Sequence, residues 1–384
     1  MLSRDELAAW LRLAETPGLG RATARRLLAA FGAPQAVLGA DEAVLRRFVE
    51  APLAAALLAR DARHDGLVDA TWRWLVAAEP AAPRTIVALG DPGYPSMLLE
   101  TADPPLLLHA IGRVELLSAP SIAVVGSRSA TPQGLDNAHA FAKQLSERKL
   151  TIVSGLALGV DGAAHEGGLA GPGSTVAFVG TGLDQVYPPR HVALARRIAE
   201  QGLVASEFAL GMPPLAANFP RRNRLIAGIA QGTLVVEAAI QSGSLITARM
   251  ALESGREVFA IPGSIHSPQA HGCHRLIQQG AKLVETAGDI LEELRLGADG
   301  AARDAPAKSP AGQQSPLFAS DSGTEAGSNA ALLHALGHDP VTFDALSART
   351  GMPSDRLAAE LLGLELAGTV QRLPGGLFQR RGSA

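Results

Sequence analysis

Between Thr85 and Val284 the chain alternates short apolar runs with amphipathic stretches of helical length, and few architectures accept that alternation. The runs are Ile122–Val125, Thr151–Val153, Thr175–Val179, Leu203–Ala205, Thr233–Val236, Val258–Ile261 and Lys282–Val284. Between them lie segments such as Leu135–Arg148, His191–Gln201 and Leu245–Glu253, where apolar residues recur at helical spacing. A run that is apolar at nearly every position is a strand buried on both faces, and helices on both sides are what bury it. The pattern predicts an α/β fold, a doubly wound and mainly parallel sheet.

The flanks read differently. At 384 residues the chain exceeds what one core usually supports. Residues 1–82 are rich in Ala, Leu and Arg with helical periodicity, as in Leu7, Trp10 and Leu11, and Pro80 and Pro83 close them. Residues 83–296 carry the alternation. Residues 297–328 lose apolar periodicity, are rich in Ala, Pro, Gly and Ser, and read as a flexible linker whose one bulky apolar pair is Leu317–Phe318. Residues 329–384 regain it: three short helices precede a strand–Gly-Gly–strand hairpin, the pattern of a winged helix. There Gly351 is expected to end the second helix and Ser354 to cap the third.

Composition restricts function. With a net charge of −3, any nucleic-acid site must be a local basic patch, which argues against a histone-like or membrane-surface role. Cys273 is the one cysteine, so neither an internal disulfide nor a multi-cysteine zinc site can form. The start, MLSRDELAAWLRLAE, has no apolar core of a secretory signal, and no run is long enough to span a bilayer. The expectation is a soluble cytoplasmic protein without cofactor or metal.

Several strands end in small residues, which lets backbone N–H groups approach an anion beside a helix N-terminus. In AVVGSRSATPQG the strand ends at Gly126, Ser127 follows, and Arg128 projects a charge; the next helix starts near Gly134. In TIVSGLALGVDGAAHEGGL the turn is Ser154–Gly155, and in GTGLDQVYPPRH it is Gly180–Thr181–Gly182, with Arg190 heading the following helix. NFPRRNRLIAG carries the densest basic cluster, Arg221, Arg222 and Arg224 around Asn223, with Phe219 beside it. Guanidinium groups meet phosphates while a ring stacks on a base, which suits single-stranded nucleic acid. Ion pairing with Glu207 or Glu237 is the structural alternative. Ser242, Gly243, Ser244 and Thr247 bring hydroxyls and a glycine to one more helix start.

Other groups carry weaker signals. Asp161, His165 and Glu166 could share a helical face as an acid–base set, but a capping aspartate and structural polar residues fit the spacing better. His271, Cys273 and His274 match no familiar zinc spacing. TPGLGRATARRLLAAFG is a Gly-x-Gly turn before a basic helix, either a helix-hairpin-helix phosphate site or a packing element with an arginine-rich face.

Taken in order, DPGYPSMLLETADPPLLLHAIG, AVVGSR, VSGLALGVDGAAHEGGL, GTGLDQVYP, NFPRRNRLIAG, VVEAAIQSGSLITA and REVFAIPGS resemble the DNA-processing protein A (DprA/Smf) family over roughly residues 90–295. The resemblance implies an extended Rossmann-like domain that binds single-stranded DNA in a basic crevice and forms a homodimer. It also implies delivery of that DNA to the RecA recombinase and protection of incoming strands in natural transformation, with no bond made or broken. A helical N-terminal domain and a C-terminal winged helix occur in many members. The arginine of the family's Gly-Ser-Arg turn falls on Arg128. The basic residue that often follows Tyr-Pro is replaced by Pro189, with the charge one step on at Arg190, and the family's Gly-x-Asn reads Gly272–Cys273–His274 here. The third helix of the winged helix has only Arg356 beside Asp355 and Glu360, which favours a partner-binding role over reading of duplex DNA.

Two alternatives belong to other classes. A nucleotide phosphoribohydrolase of the lysine-decarboxylase-like Rossmann group would need a Pro-Gly-Gly-x-Gly-Thr-x-x-Glu loop. The comparable AQGTLVVEAA has Gly232–Thr233 and Glu237, lacks the Pro-Gly-Gly lead, and places the glutamate one residue late. A transcription regulator would read DNA through the winged helix, which the sparse basic face of its third helix disfavours.

Overall fold

The computed structural model describes residues 2–59, 62–77, 79–294, 328–337, 340–373 and 375–380. Residues 297–327 of the expected linker, with Leu317 and Phe318, lie outside the described residues.

Six helices come first: α1 (Arg4–Glu15), α2 (Arg21–Phe31), α3 (Pro34–Leu38), α4 (Glu42–Leu45), α5 (Ala51–Leu58) and α6 (Ala62–Val76). Ser3 starts α1 with a reciprocal capping box to Glu6. Leu7, Leu11, Leu13, Leu27, Leu45 and Leu57 bury the apolar stripe that the periodicity predicts. This bundle shares one apolar cluster with Ile86, Ala88, Ala177, Ile198 and Val204 of the sheet region, so it packs on the sheet and is not suspended beside it.

The sheet has nine strands: β1 (Arg84–Ala88), β2 (Leu107–Gly112), β3 (Ser121–Val125), β4 (Thr151–Ser154), β5 (Thr175–Phe178), β6 (Leu203–Ser206), β7 (Gly232–Val235), β8 (Glu257–Ala260) and β9 (Lys282–Leu283). Their order is β1-β2-β6-β5-β4-β3-β7-β8-β9. β1 and β2 are antiparallel; from β6 to β9 every pairing is parallel. The connecting helices are α7 (Ser96–Leu99), α8 (Pro132–Glu147), α9 (Val160–Leu169), α10 (Val192–Gln201), α11 (Asn218–Ile229), α12 (Gly243–Glu253), α13 (His271–Gln278) and α14 (Ala287–Glu293).

From β3 the chain steps outward through α8, α9 and α10 to β6. Helix α11 then carries it back to β7, on the other side of β3. Crossovers leave β3 and β7 in opposite directions, and in doubly wound sheets a crevice opens at the carboxyl ends of two such strands. Val125, Phe178, Val235 and Ala260 face α11–α13, whereas Ile122, Val124, Leu234 and Phe259 face α8 and α14. Among the described residues no helix is long and apolar enough to cross a membrane.

The C-terminal unit comprises α15 (Ser328–Leu336), β10 (Val341–Thr342), α16 (Phe343–Thr350), α17 (Ser354–Leu366), β11 (Val370–Leu373) and β12 (Leu377–Arg380), with sheet order β10-β12-β11. Leu346, Leu357, Leu361 and Phe378 form its core. Gly351 ends α16 in the left-handed conformation, as expected. Ser354 does not cap α17: Pro353 holds the cap position without a side-chain bond, and Ser354 is the first helical residue. Proline's fixed φ suits the cap position, where Pro353 has φ −56° and ψ 145°, and it shifts Ser354 into the helix.

Helices α8 and α9 approach so closely that a Cβ on Gly167 would fall 2.3 Å from the His139 carbonyl oxygen. Gly66, in α6, faces open space. Helix propensity alone favours alanine by about 1 kcal/mol at both positions. In denaturant titrations Gly66→Ala should raise stability, and Gly167→Ala should lower it by roughly 1–3 kcal/mol through overpacking. Equal shifts would mean that the close approach of α8 and α9 does not govern Gly167.

Candidate functional site

At the β3/β7 switch point lies a crevice of about 520 Å³. Its lining includes Gly126, Ser127, Arg128, Asp161, Arg222, Asn223, Gln241, Ser242, Gly243, Ser244, Thr247 and Gln269. Segments distant in sequence meet here because their strands are neighbours.

The β3 turn forms one wall. A Cβ on Gly126 would fall 2.6 Å from Val160 and 2.9 Å from the Glu237 carbonyl oxygen, so only glycine fits. The Ser127 amide donates to that same oxygen at 2.7 Å, and Ser127 Oγ accepts from the Ser129 amide at 3.1 Å. Arg128 is exposed and makes no ion pair among the described residues. Its guanidinium lies 5.5 Å from the centre of the Phe219 ring, within cation–π range. On the same ring Tyr187 packs at 5.7 Å between centroids. Arg128, Phe219 and Tyr187 therefore make one continuous surface on the rim, part cationic and part aromatic.

The opposite wall is the start of α12. Ser242 is its N-cap, accepting from the Ser244 amide at 3.3 Å; Ser242 Oγ and Ser244 Oγ are 2.6 Å apart. A Cβ on Gly243 would meet no atom within 4 Å, so this helix end is open. Ser242 holds the Ser244 amide through its hydroxyl and the Leu245 amide through its carbonyl, and the positive end of the helix dipole still suits this end to an anion.

The floor is a buried arginine. Arg222 is 3% exposed, and its Nη1 donates to the Phe178 carbonyl at 2.7 Å. Burial lowers its pKa to about 10, still charged at neutral pH, with nearby Asp161 opposing the shift. Burial raises the Asp161 carboxyl, while Arg222 and the amides of Ala157 and Gly155 hold it down. Asp161 thus caps a turn, as its spacing predicted, and His165 has a structural place. His165 Nε2 accepts from the Leu156 amide at 3.2 Å, and Nδ1 lies 2.7 Å from Thr175 Oγ1. Leu156 has a φ of 58°, and His191 Nδ1 contacts its carbonyl at 2.9 Å.

Other expected site residues lie elsewhere. Ser154 Oγ donates to the Val124 carbonyl at 2.7 Å, and the Gly155 amide goes to Asp161, so this turn's polar groups are used internally. Gly180 accepts from Asn218 Nδ2 at 3.1 Å and leaves room for the Phe219 ring. The Gly182 amide donates to Met212. Arg190 is exposed in a short turn, Pro189–His191, without an ion pair among the described residues. Arg221 is exposed on the other side of α11, 5.2 Å from the Phe208 ring centre, and lines a separate cavity at the N-terminal bundle. Arg224 pairs with Glu207 and Asp103, the structural alternative foreseen for this cluster. Arg21 and Arg25 also bind Asp103, so the basic face of α2 packs against the sheet domain.

One further expectation changes. The N-terminus of α8 is not free for an outside anion, because the Glu237 carboxylate accepts from the Thr131 amide at 2.9 Å and from Thr131 Oγ1 at 2.5 Å. His271 and His274 contact the carbonyls of Ile265 and Gly263, and Cys273 is buried with its thiol pushed up to about 12. No group of metal-ligating side chains occurs among the described residues. Sequence reasoning missed Tyr187, because its ring acquires meaning only against Phe219, which the fold brings to it.

Comparisons with known proteins bear on the family and the fold. A profile of the family described as DNA recombination-mediator protein A matches residues 85–295, and one described as DprA winged helix domain matches 306–376. The chain is 44% identical to Protein Smf of Escherichia coli over 289 residues, covering 75% of each. It is 49% identical over 203 residues to DNA processing protein DprA of Streptococcus pneumoniae, covering 53% of this chain and 72% of that protein. A crystal structure of the pneumococcal DprA superposes with a TM-score of 0.60 at 38% identity, over 73% of this chain and 95% of that one. A structure describing the single-stranded DNA binding mode of DNA processing protein A from Helicobacter pylori superposes at 0.50 and 28% identity, over 55% and 96%.

Burial pushes His165 down to about 3 and His109 down to about 4. The unfolded chain titrates these groups near 6.5, so it binds more protons between roughly pH 3 and 6.5. Stability should therefore fall as pH drops through that window, by up to about 1.4 kcal/mol per pH unit for each histidine. Thermal unfolding from pH 7 to pH 5 should show the loss, and His165→Gln should reduce its slope. An unchanged slope in that variant would remove His165 from the account.

Proposed function

The chain belongs to the DNA recombination-mediator protein A (DprA/Smf) family, and from that premise we propose that it binds single-stranded DNA in the crevice between the ends of β3 and β7. One observation carries the reading: an exposed Arg128, without an ion pair among the described residues, lies over Phe219, with Tyr187 beyond it and the open start of α12 across the crevice. A cation, an aromatic surface and a free helix start within reach of one another meet what a single strand offers, phosphates alternating with exposed base faces. Duplex DNA hides those faces. Kinship with the H. pylori protein, a binder of single-stranded DNA, supports the same substrate.

In this reading Arg128, Ser127, Gly243, Ser244 and Thr247 take the backbone, and Phe219 with Tyr187 takes bases. Arg190 extends the basic track, and Arg221 is left out because it lies on the other side of α11 in a separate cavity. Arg224 is left out because Glu207 and Asp103 hold it. Binding is stoichiometric, and no bond is made or broken. The hydrolase alternative loses its glutamate, since Glu237 is engaged at the start of α8. Family kinship also supports a cytosolic homodimer that protects incoming strands and delivers them to RecA, with the winged helix serving a partner.

Fluorescence-anisotropy titration with an oligo-dT strand and a matched duplex at two salt concentrations tests the proposal. The strand should bind more tightly, with a log–log salt slope of about −0.7 per phosphate contacted. Arg128→Ala should weaken binding to all sequences alike and lower that slope by about 0.7. Phe219→Ala should cost about 1–3 kcal/mol while leaving the slope in place. A folded Arg128→Ala protein with unchanged affinity would refute the assignment.

A further inference from the structure

We propose that Asp161 and Arg222 are positioning residues for this crevice, gripping the turn Gly155–Leu156–Ala157 from two sides so that the Arg128 turn has a fixed bed. The inference rests on the single-strand reading above and assigns these two residues a role other than contact with DNA.

Asp161 stands in the first turn of α9, and its Oδ2 accepts from the Gly155 amide at 3.1 Å and the Ala157 amide at 3.3 Å. Arg222 comes from α11 on the other side. Its guanidinium fills the space that a Cβ of Gly155 would need, and Nη1 also ties down the Phe178 carbonyl at the end of β5. The turn so held continues to Gly159 and Val160. A Cβ on Gly159 would collide with the Ser127 carbonyl and the Arg128 backbone, and the Val160 amide donates to that carbonyl at 3.1 Å. Contacts thus run unbroken from Asp161 and Arg222, through residues 155–160, to the turn that aims Arg128.

This role separates from simple electrostatics. Asp161 brings a carboxyl to the lining of a site for a polyanion, and if only its charge mattered, Coulomb repulsion says that removing it would not weaken binding. If it positions the turn, removing its acceptor weakens binding. Arg222 likewise divides the readings: as a phosphate ligand it could be replaced by lysine with the charge kept, whereas lysine cannot span Gly155 and Phe178 as a planar fork does.

The test is oligo-dT titration of the full chain as wild type, Asp161→Ala, Asp161→Asn and Arg222→Lys, with hydrogen exchange on the DNA-free wild type. Asp161→Ala and Arg222→Lys should each bind about tenfold more weakly or worse, the expected scale for losing a buried hydrogen bond. Asp161→Asn keeps an acceptor and should stay within about threefold of wild type. Amides of 155–157 should exchange as slowly as those of β4. The proposal fails if Asp161→Ala binds as well as or better than wild type, if Asp161→Asn is as weak as Asp161→Ala, or if Arg222→Lys keeps wild-type affinity. Should a variant not fold, exchange decides: amides of 155–157 opening as fast as the exposed 211–217 loop overturn the grip. Wild-type protein that binds no oligo-dT would instead refute the single-strand reading, and exchange would still report on the grip itself.

Discussion

A charged guanidinium sealed beneath the sheet's carboxyl edge organises everything above it. Arg222 reaches from α11, the helix that carries the chain back across the sheet, to the ends of the outward-stepping strands β4 and β5. Burying such a charge is costly unless polar groups offset it; Arg222 donates to the Phe178 carbonyl, and nearby Asp161 favours its charged form. The return crossover and the first half of the sheet are thereby locked at the one place where the topology opens a crevice. The cation also leaves a positive potential beneath the site, on a chain whose net charge of −3 would otherwise repel phosphate.

Local placement decides which arginines remain available. Arg21, Arg25 and Arg224 converge on Asp103 and Glu207, joining the N-terminal bundle to the sheet domain. Arg128 and Arg190 stay exposed and unpaired among the described residues. Helix starts divide the same way. Glu237 occupies the start of α8 from inside the protein, whereas α12 is left open. An anion from outside therefore meets a prepared helix start and an exposed guanidinium, both at the switch point.

The sheet was legible because strands buried on both faces carry an apolar signature that solvated segments cannot imitate, as Ile122–Val125 and Thr233–Val236 do. Gly126, Ser127, Arg128, Ser242, Gly243, Ser244 and Thr247 were legible as small or polar residues at strand ends and helix starts, and they share the crevice. Individual members of the Arg221–Arg224 cluster were not. Adjacent residues on a helix point about 100° apart, so Arg221, Arg222 and Arg224 face three different environments that only tertiary packing defines. Tyr187 was unreadable for a related reason: a stacking partner is a matter of space, not of spacing. Gly155, Gly180 and Gly182 have the small size that a close approach requires, but what approaches is the protein's own chain: Asp161 and Arg222 at Gly155, Asn218 and Phe219 at Gly180, and Asp184 with Ala209 at Gly182.

The central claim is a place: a single strand lies across the β3/β7 crevice with its bases on Phe219 and Tyr187. Photo-crosslinking of a 4-thiothymidine oligonucleotide to the full chain, followed by peptide mapping, reads that place directly. The account predicts adducts at Tyr187 and Phe219 and within 126–129 and 241–247. Adducts confined to the winged helix, or to the basic face of α2, would contradict it.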